Sequence, residues 1–409
     1  MPFPSTPLHR RLLLLLAAVA CTRLPGAASK PKLLEPCASA TACPALLSYT
    51  LHADLKLAEL AALFAADPLA ILAANAIDFA VPGPAGRILP AGLALRVPVP
   101  CACSGGVRKA TSVRYVSRPG DTLASIASRV YGGLTTPDWI RDSNGIPDAD
   151  GAVDAGTALL VPLHCACFGG VDNGVPAVYL TYVVAKGDTV PAIAKRYQTT
   201  ATDVMSVNDM ATADVAAGDI IVLPLPACTS SFPTFTSDHG LAVANGTYAV
   251  TADRCVQCSC GPANLELFCV PAPLADAACS SMQCGNSSML LGNFTLVMTG
   301  AGCGVTSCGY GGYANGTILT TLTTALKPIC PVPHQFPPLI PPPTSSFFET
   351  YLGPSPAPMP SVGGIKSPTM AGTAPTGGQD AVAGAPPTGR HFSDVIGVLA
   401  LCLFTNVLW

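Results

Sequence analysis

At 409 residues the chain is long enough for several modest domains. Charged residues make up 11% and the net charge is −3, so the clustered Lys and Arg that a nucleic-acid partner needs are absent. The 18 Cys, 41 Pro and 38 Gly point instead to small, stapled modules outside the cell.

Residues 1–28 carry His9-Arg10-Arg11, continue as an apolar run and end on the small residues Gly26, Ala27 and Ala28. That order is a secretory signal peptide cleaved near Ala28, and the run is too short to span a bilayer.

The chain then repeats itself. Tyr49, Tyr115 and Tyr182 start three phrases spaced by 66 and 67 residues. In the second and third, Gly120-Asp121-Thr122 and Gly187-Asp188-Thr189 follow the Tyr. All three phrases then reach an Asn (Asn75, Asn144, Asn208), an Ala-Gly pair and a Pro (Pro98, Pro162, Pro224). A period this regular is a structural repeat, with units over 46–100, 113–163 and 180–226.

Each unit reads as strand, helix, helix, strand. Asp121-Thr122 and Asp188-Thr189 offer N-cap oxygens to the first helix. Leu123, Ile126, Ala127 and Val130 form one apolar face of that helix in the second unit; Val190, Ile193, Ala194 and Tyr197 do so in the third. A second helix is predicted around 137–143 and 202–207, ending near the Asn. Asn144 and Asn208 read equally well as helix ends and as ligand contacts. Trp139 is expected in the core, Tyr115 and Tyr182 packed on the helices, and His164 without a role of its own.

Cys101-Ala102-Cys103 and Cys165-Ala166-Cys167 separate the units. Alternate Cys on an extended segment reach different neighbours, so disulfides between repeats are expected here rather than a metal. Residues 228–330 hold ten more Cys and sequons at Asn245, Asn286, Asn293 and Asn315, which marks a separate disulfide module bearing N-glycans. Cys255, Cys258 and Cys260 read as disulfide partners and not as zinc ligands. Residues 331–384 are rich in Pro, Gly, Ser and Thr and read as an extended stalk. Residues 385–409 combine a polar spacer with a short apolar tail, the signal for exchanging the tail for a glycosylphosphatidylinositol (GPI) lipid near Ala383. Cys21 leaves with the signal and Cys402 with the tail, so 16 Cys remain for pairing.

Tyr-x-Val, Gly-Asp-Thr, Ile-Ala, the Asn and the closing Gly-x-x-[Leu/Ile]-x-[Leu/Val]-Pro resemble the lysin-motif (LysM) domain. Three such units with Cys-x-Cys spacers resemble the plant GPI-anchored LysM receptor-like proteins that recognise chitin and peptidoglycan. The resemblance implies an α+β fold of three βααβ units, without cofactor or metal, on the extracellular face of the plasma membrane. It implies a glycan groove between two loops: Arg118, Pro119, Gly120 and Asp121 with Asn144, Gly145, Ile146 and Pro147 in the second unit, and Lys186, Gly187 and Asp188 with Asn208, Asp209 and Met210 in the third. The first unit departs, with Asp54-Leu55-Lys56 where Gly-Asp-Thr belongs. The bridges it implies are Cys37–Cys103, Cys43–Cys167 and Cys101–Cys165. Its implied partners are chitin oligomers, peptidoglycan fragments and a LysM receptor kinase, with a homo-oligomer left open.

A wall-degrading hydrolase is the rival reading. A glycosidase places two carboxylates across the scissile bond. The only four Glu are Glu35, Glu59, Glu266 and Glu349, scattered along the chain, and no esterase elbow or zinc-protease motif occurs. The expectation is a binder and not an enzyme, with a non-signalling adhesion or scavenging protein as the alternative.

Overall fold

The computed structural model describes residues 35–341, save 39–40, 81–82, 111–112, 148–152, 263, 276, 286, 301 and 332–333. The signal peptide, most of the stalk, the GPI attachment at Ala383 and Asn286 lie outside the described residues.

Three βααβ units are present. In the first, strand Cys43–Thr50 pairs antiparallel with Ala94–Ser104, and helices Leu57–Phe64 and Pro68–Ala74 lie between them. Although Gly-Asp-Thr is missing, the helix still starts, because the backbone N–H of Lys56 donates to Glu59 Oε2 at 2.8 Å. Leu57, Leu60, Ala61 and Phe64 form its buried face. In the second unit, Arg114–Val116 pairs with Ala158–Leu160 around Leu123–Ser125, the π turn Ile126–Val130 and helix Pro137–Asn144. In the third, Val175–Val183 pairs with Ile220–Thr229 around helices Val190–Arg196 and Ala201–Val207.

The Ala-Gly pair has one job in all three units. Gly92, Gly156 and Gly218 sit at φ of 81°, 86° and 94°, where a Cβ would be strained. Each donates its N–H at 2.8 Å back to the first strand or the residue just past it, at the carbonyls of Leu51, Ser117 and Val184. That turn enters the closing strand in register with the first.

The units are fused, which reading them as separate modules joined by bridges does not anticipate. Val175–Val183 lies parallel to Cys43–Thr50, with Leu46 opposite Leu180 and Leu47 opposite Thr181. One sheet therefore runs through units 1 and 3 and continues through Ala94–Ser104 to Val107–Ala110 and Leu163–His164. Unit 2 joins unit 1 through side chains. Tyr131 of unit 2 meets Phe64 edge-on at 5.7 Å, Phe64 meets Tyr49 at 4.8 Å, and the Tyr49 hydroxyl donates to the carbonyl of Val130 at 2.8 Å. The two units share one hydrophobic core, while unit 3 has its own around Leu180, Val190, Ile193 and Leu223.

Disulfides Cys37–Cys103, Cys43–Cys167 and Cys101–Cys165 cross-link the unit boundaries, and they are the pairs that the resemblance implies. The Cys43, Cys101 and Cys167 sulfurs lie within 4.8 Å of one another, and each is already in a disulfide. The Cys-rich module is two three-stranded sheets bridged by Cys228–Cys260, Cys255–Cys279, Cys258–Cys269, Cys284–Cys308 and Cys303–Cys330. Asn293 and Asn315 are exposed on it, Asn315 in the Asn-Gly turn of a hairpin, and Asn245 is half-buried. The start of the Pro-rich segment is packed rather than extended into solvent. His334 stacks on Phe268 at 4.4 Å, and Ile340 bridges Ile77 of unit 1.

Candidate functional site

The first loop of the site explains why Tyr and Gly-Asp-Thr recur together. In unit 2, Asp121 Oδ2 accepts from the Tyr115 hydroxyl at 2.8 Å and from the Arg118 backbone N–H at 2.7 Å. In unit 3, Asp188 Oδ2 accepts from the Tyr182 hydroxyl at 2.5 Å and from the Ala185 N–H at 2.9 Å. Arg196 adds an ion pair to Asp188 at 3.6 Å. Burial, and then the bond to Asp121, push the Tyr115 phenol up to about 12; Tyr182 is raised for the same reasons beside Asp188. Both phenols therefore stay protonated and donate. The Asp closes the loop, and the Thr caps the helix. Thr122 Oγ1 accepts from Ser125 N at 3.1 Å, and Thr189 Oγ1 from Ala192 N at 3.3 Å. The expected cap at Asp-Thr thus belongs to the Thr alone, because the Asp oxygens face back to the strand.

The second loop starts from the Asn. Asn144 Nδ2 donates to the carbonyls of Ile140 and Leu160 at 2.6 and 2.8 Å, and its Oδ1 accepts from Leu160 N at 2.8 Å. Asn208 repeats this with Val204 and Val222, and Asn75 with Ile71 and Arg96. These side chains bolt the second helix to the closing strand, which leaves only their backbone atoms for a ligand. Of the two roles open to Asn144 and Asn208, the side chains fill the framework one. Past the Asn, Gly145 turns at φ 63° and Ile146 N donates to the Arg141 carbonyl at 3.1 Å. Asp209, at φ 49°, takes the equivalent position in unit 3, and Met210 N donates to the Met205 carbonyl at 2.9 Å.

In unit 2 the segment after this turn reaches the first loop, where Val153 N donates to the Asp121 carbonyl at 3.1 Å. Arg118, Pro119, Gly120, Gly145 and Pro147 are exposed, and Ile146 is half-buried against the core. The exposed rims of the two turns carry backbone groups, and the residues there include Arg118 and Ile146. In unit 3, Lys186, Gly187 and Asp209 are exposed and Asp188 and Met210 half-buried.

Two features lie outside the motif. Trp139 is half-buried, where the core was expected, and its ring stacks on His164 at 3.6 Å. His164 is thus a packing residue, 4% exposed, and burial lowers its pKa to about 4. An open cleft of about 370 Å³ separates unit 2 from unit 3, lined by the first helix of unit 2 and by Gly218, Asp219 and Ile220 of unit 3. No local pattern signals it, since its walls are some 90 residues apart in sequence.

The LysM domain family matches residues 115–162 and 182–224, the second and third units. The "LysM domain-containing GPI-anchored protein LYP4" of Oryza sativa subsp. japonica is 78% identical over 92% of this chain and 94% of its own length. The "LysM domain-containing GPI-anchored protein 1" of Arabidopsis thaliana is 48% identical over 92% of this chain and 90% of its own. The "Chitin elicitor-binding protein" of Oryza sativa subsp. japonica is 31% identical over 72% of this chain and 81% of its own.

Proposed function

The chain belongs to the family of plant LysM domain-containing GPI-anchored proteins, and from that premise we propose that it is a lipid-anchored receptor on the outer face of the plasma membrane that binds N-acetylglucosamine glycans. Its ligands are chitin oligomers and peptidoglycan fragments, held by the paired turns of units 2 and 3. The observation that supports this reading is the first loop of unit 2, closed on Asp121 and bonded to Val153 beyond the second turn, with Arg118, Pro119, Gly120, Gly145 and Pro147 exposed. An N-acetyl sugar presents an amide N–H, a carbonyl and a methyl group. Backbone groups of the two turns suit the amide, and Ile146 suits the methyl. The relative named for binding a chitin elicitor supports the ligand class. Each shallow site binds weakly, and a polymer that engages several gains by avidity.

A lipid-anchored protein ends at the outer leaflet, so signalling requires a membrane-spanning partner. We assign that role to a LysM receptor kinase, recruited when oligomeric glycan is bound during defence against fungi and bacteria. The test is retention of the oxidised, glycosylated ectodomain on insoluble chitin and on peptidoglycan, with competition by N-acetylglucosamine oligomers. Retention on neither matrix refutes the reading. Ile146→Ala should weaken retention while secretion persists.

A further inference from the structure

We infer that one end of the second sheet of the Cys-rich module dips into the outer leaflet of the membrane that carries the lipid anchor, so that the ectodomain rests on the bilayer through protein as well as tether. This rests on the lipid-anchored reading above and concerns a surface outside the three LysM units.

The sequence sets this sheet apart. From 277 to 333 the one Asp, Glu, Lys or Arg is Lys327. Strands Phe294–Thr299, Gly302–Ala314 and Thr317–Lys327 form the sheet, and their registers place its residues in rows. Beside the turn from Thr299 to Gly302, one row is Val297, Gly304 and Leu326, and the next is Met298, Cys303 and Lys327. Successive rows face opposite sides. Val297 is 62% exposed and Leu326 60%, with the bare Gly304 between them. On the other side Met298 is 79% exposed, its Sδ 3.1 Å from Cys330 Sγ, and Ile329 next to Cys330 is 81% exposed. Apolar side chains thus meet solvent from both rows, whereas an antiparallel sheet ordinarily packs one face on a core.

That two-sided exposure selects the occupant. A second copy, or any flat protein face, covers one side of a sheet; the fluid headgroup layer of a bilayer surrounds both. The apolar rows from Leu296 to Met298 extend about 10 Å along the strands, close to the depth of interfacial insertion. Behind them Thr295, Thr306 and Thr324 restore hydroxyls, the last two bonded at 3.1 Å. Deeper entry would strand the outer edge of strand Phe294–Thr299 in hydrocarbon. Lys327 closes the Met298 row with a long stem that sets its ammonium among phosphates. Of the sequons on this sheet, Asn293 lies about 20 Å back along the strand from Thr299, and Asn315 turns the opposite end of the hairpin, about 40 Å away, so their glycans leave this end bare. The chain itself supplies the membrane. From Pro341 to the attachment near Ala383 run about 40 residues, which hold the ectodomain within about 150 Å of the leaflet. The contact is intramolecular, and a weak one suffices.

The test floats the oxidised, glycosylated ectodomain, ended before Ala383 and so without its lipid, with phosphatidylcholine vesicles, alone and with phosphatidylglycerol added. Wild-type protein should co-float weakly, and more with phosphatidylglycerol. Met298 and Ile329 are exposed, so Met298→Asp and Ile329→Asp should each lower the partition coefficient about tenfold at an unchanged melting temperature. Lys327→Gln should remove the gain from phosphatidylglycerol and leave binding to phosphatidylcholine. Met298→Trp should bind at least as well as wild type, and its added emission should shift to the blue and be quenched by brominated lipid. The inference is overturned if wild-type protein does not co-float, if the Asp variants float as wild type does, or if the new Trp on bound protein stays unquenched. A dimer in solution that Met298→Asp dissociates would also overturn it, since a second copy would then take this surface. The anchoring reading fails separately, if phosphatidylinositol-specific phospholipase C does not release the full-length protein from cells.

Discussion

Asn75, Asn144 and Asn208 each satisfy one backbone N–H and two carbonyls with a single amide, and Asn208 does so at 5% exposure. Asn208→Ala leaves those groups without a partner, and a loss of about 3 kcal/mol is expected by thermal or denaturant unfolding. Asn208→Asp, which keeps the acceptor and loses the donor, should also destabilise. A wild-type melting profile for both variants would remove the Asn from the framework. The recurrence of this Asn is plain in the sequence, but its role is not, because an amide suits a sugar as well as a backbone. His164 contributes a pH dependence of its own. Burial holds its folded pKa near 4 against the ordinary 6.5, and Nε2 has no partner. The unfolded chain therefore binds more protons between those values. The stability is fully present above about pH 6.5, falls as pH drops to about 4, and levels off below, a loss of about 3 kcal/mol. His164→Phe keeps an aromatic face for Trp139 and should flatten this part of the curve. If the slope between pH 7 and pH 4 is the same in both proteins, His164 does not titrate on unfolding.

At the scale of an element, the Tyr, the Asp and the Thr form one device that ends a strand, closes a turn and starts a helix. Tyr182→Phe deletes the bond to Asp188 while leaving the ring in the core. About 1 kcal/mol of stability should be lost, with faster amide exchange confined to residues 185–188. Unchanged exchange there would mean that the turn holds without the phenol. Unit 1 shows the variant form. The Tyr49 hydroxyl is turned to Val130 and His52, and Asp54 Oδ1 takes Ala91 N at 2.7 Å instead. The helices and their buried faces were legible because Leu123, Ile126 and Ala127, or Val190, Ile193 and Ala194, recur at helical spacing. The π turn Ile126–Val130 was not, since one extra residue in a turn leaves that spacing almost intact.

For the whole molecule, what counts is which units depend on each other. The repeat reads as opening each unit with a strand, yet nothing local says that the first strands of units 1 and 3 lie side by side; that pairing joins residues about 130 apart and depends on tertiary packing. The loop residues of the candidate site were legible as a motif, but the cleft between units 2 and 3 was not, for the same reason. Because units 1 and 2 share a core and units 1 and 3 share a sheet, the three should unfold together. Calorimetry of the oxidised ectodomain should show one cooperative transition for them. Residues 171–226 produced alone should aggregate or stay molten, since strand Val175–Val183 would lose its Cys43–Thr50 neighbour and expose an apolar edge. If that fragment folds with dispersed amide signals, or the units melt in separate steps, the shared sheet contributes little to stability. The glycan sites proposed for units 2 and 3 would then sit on independent modules.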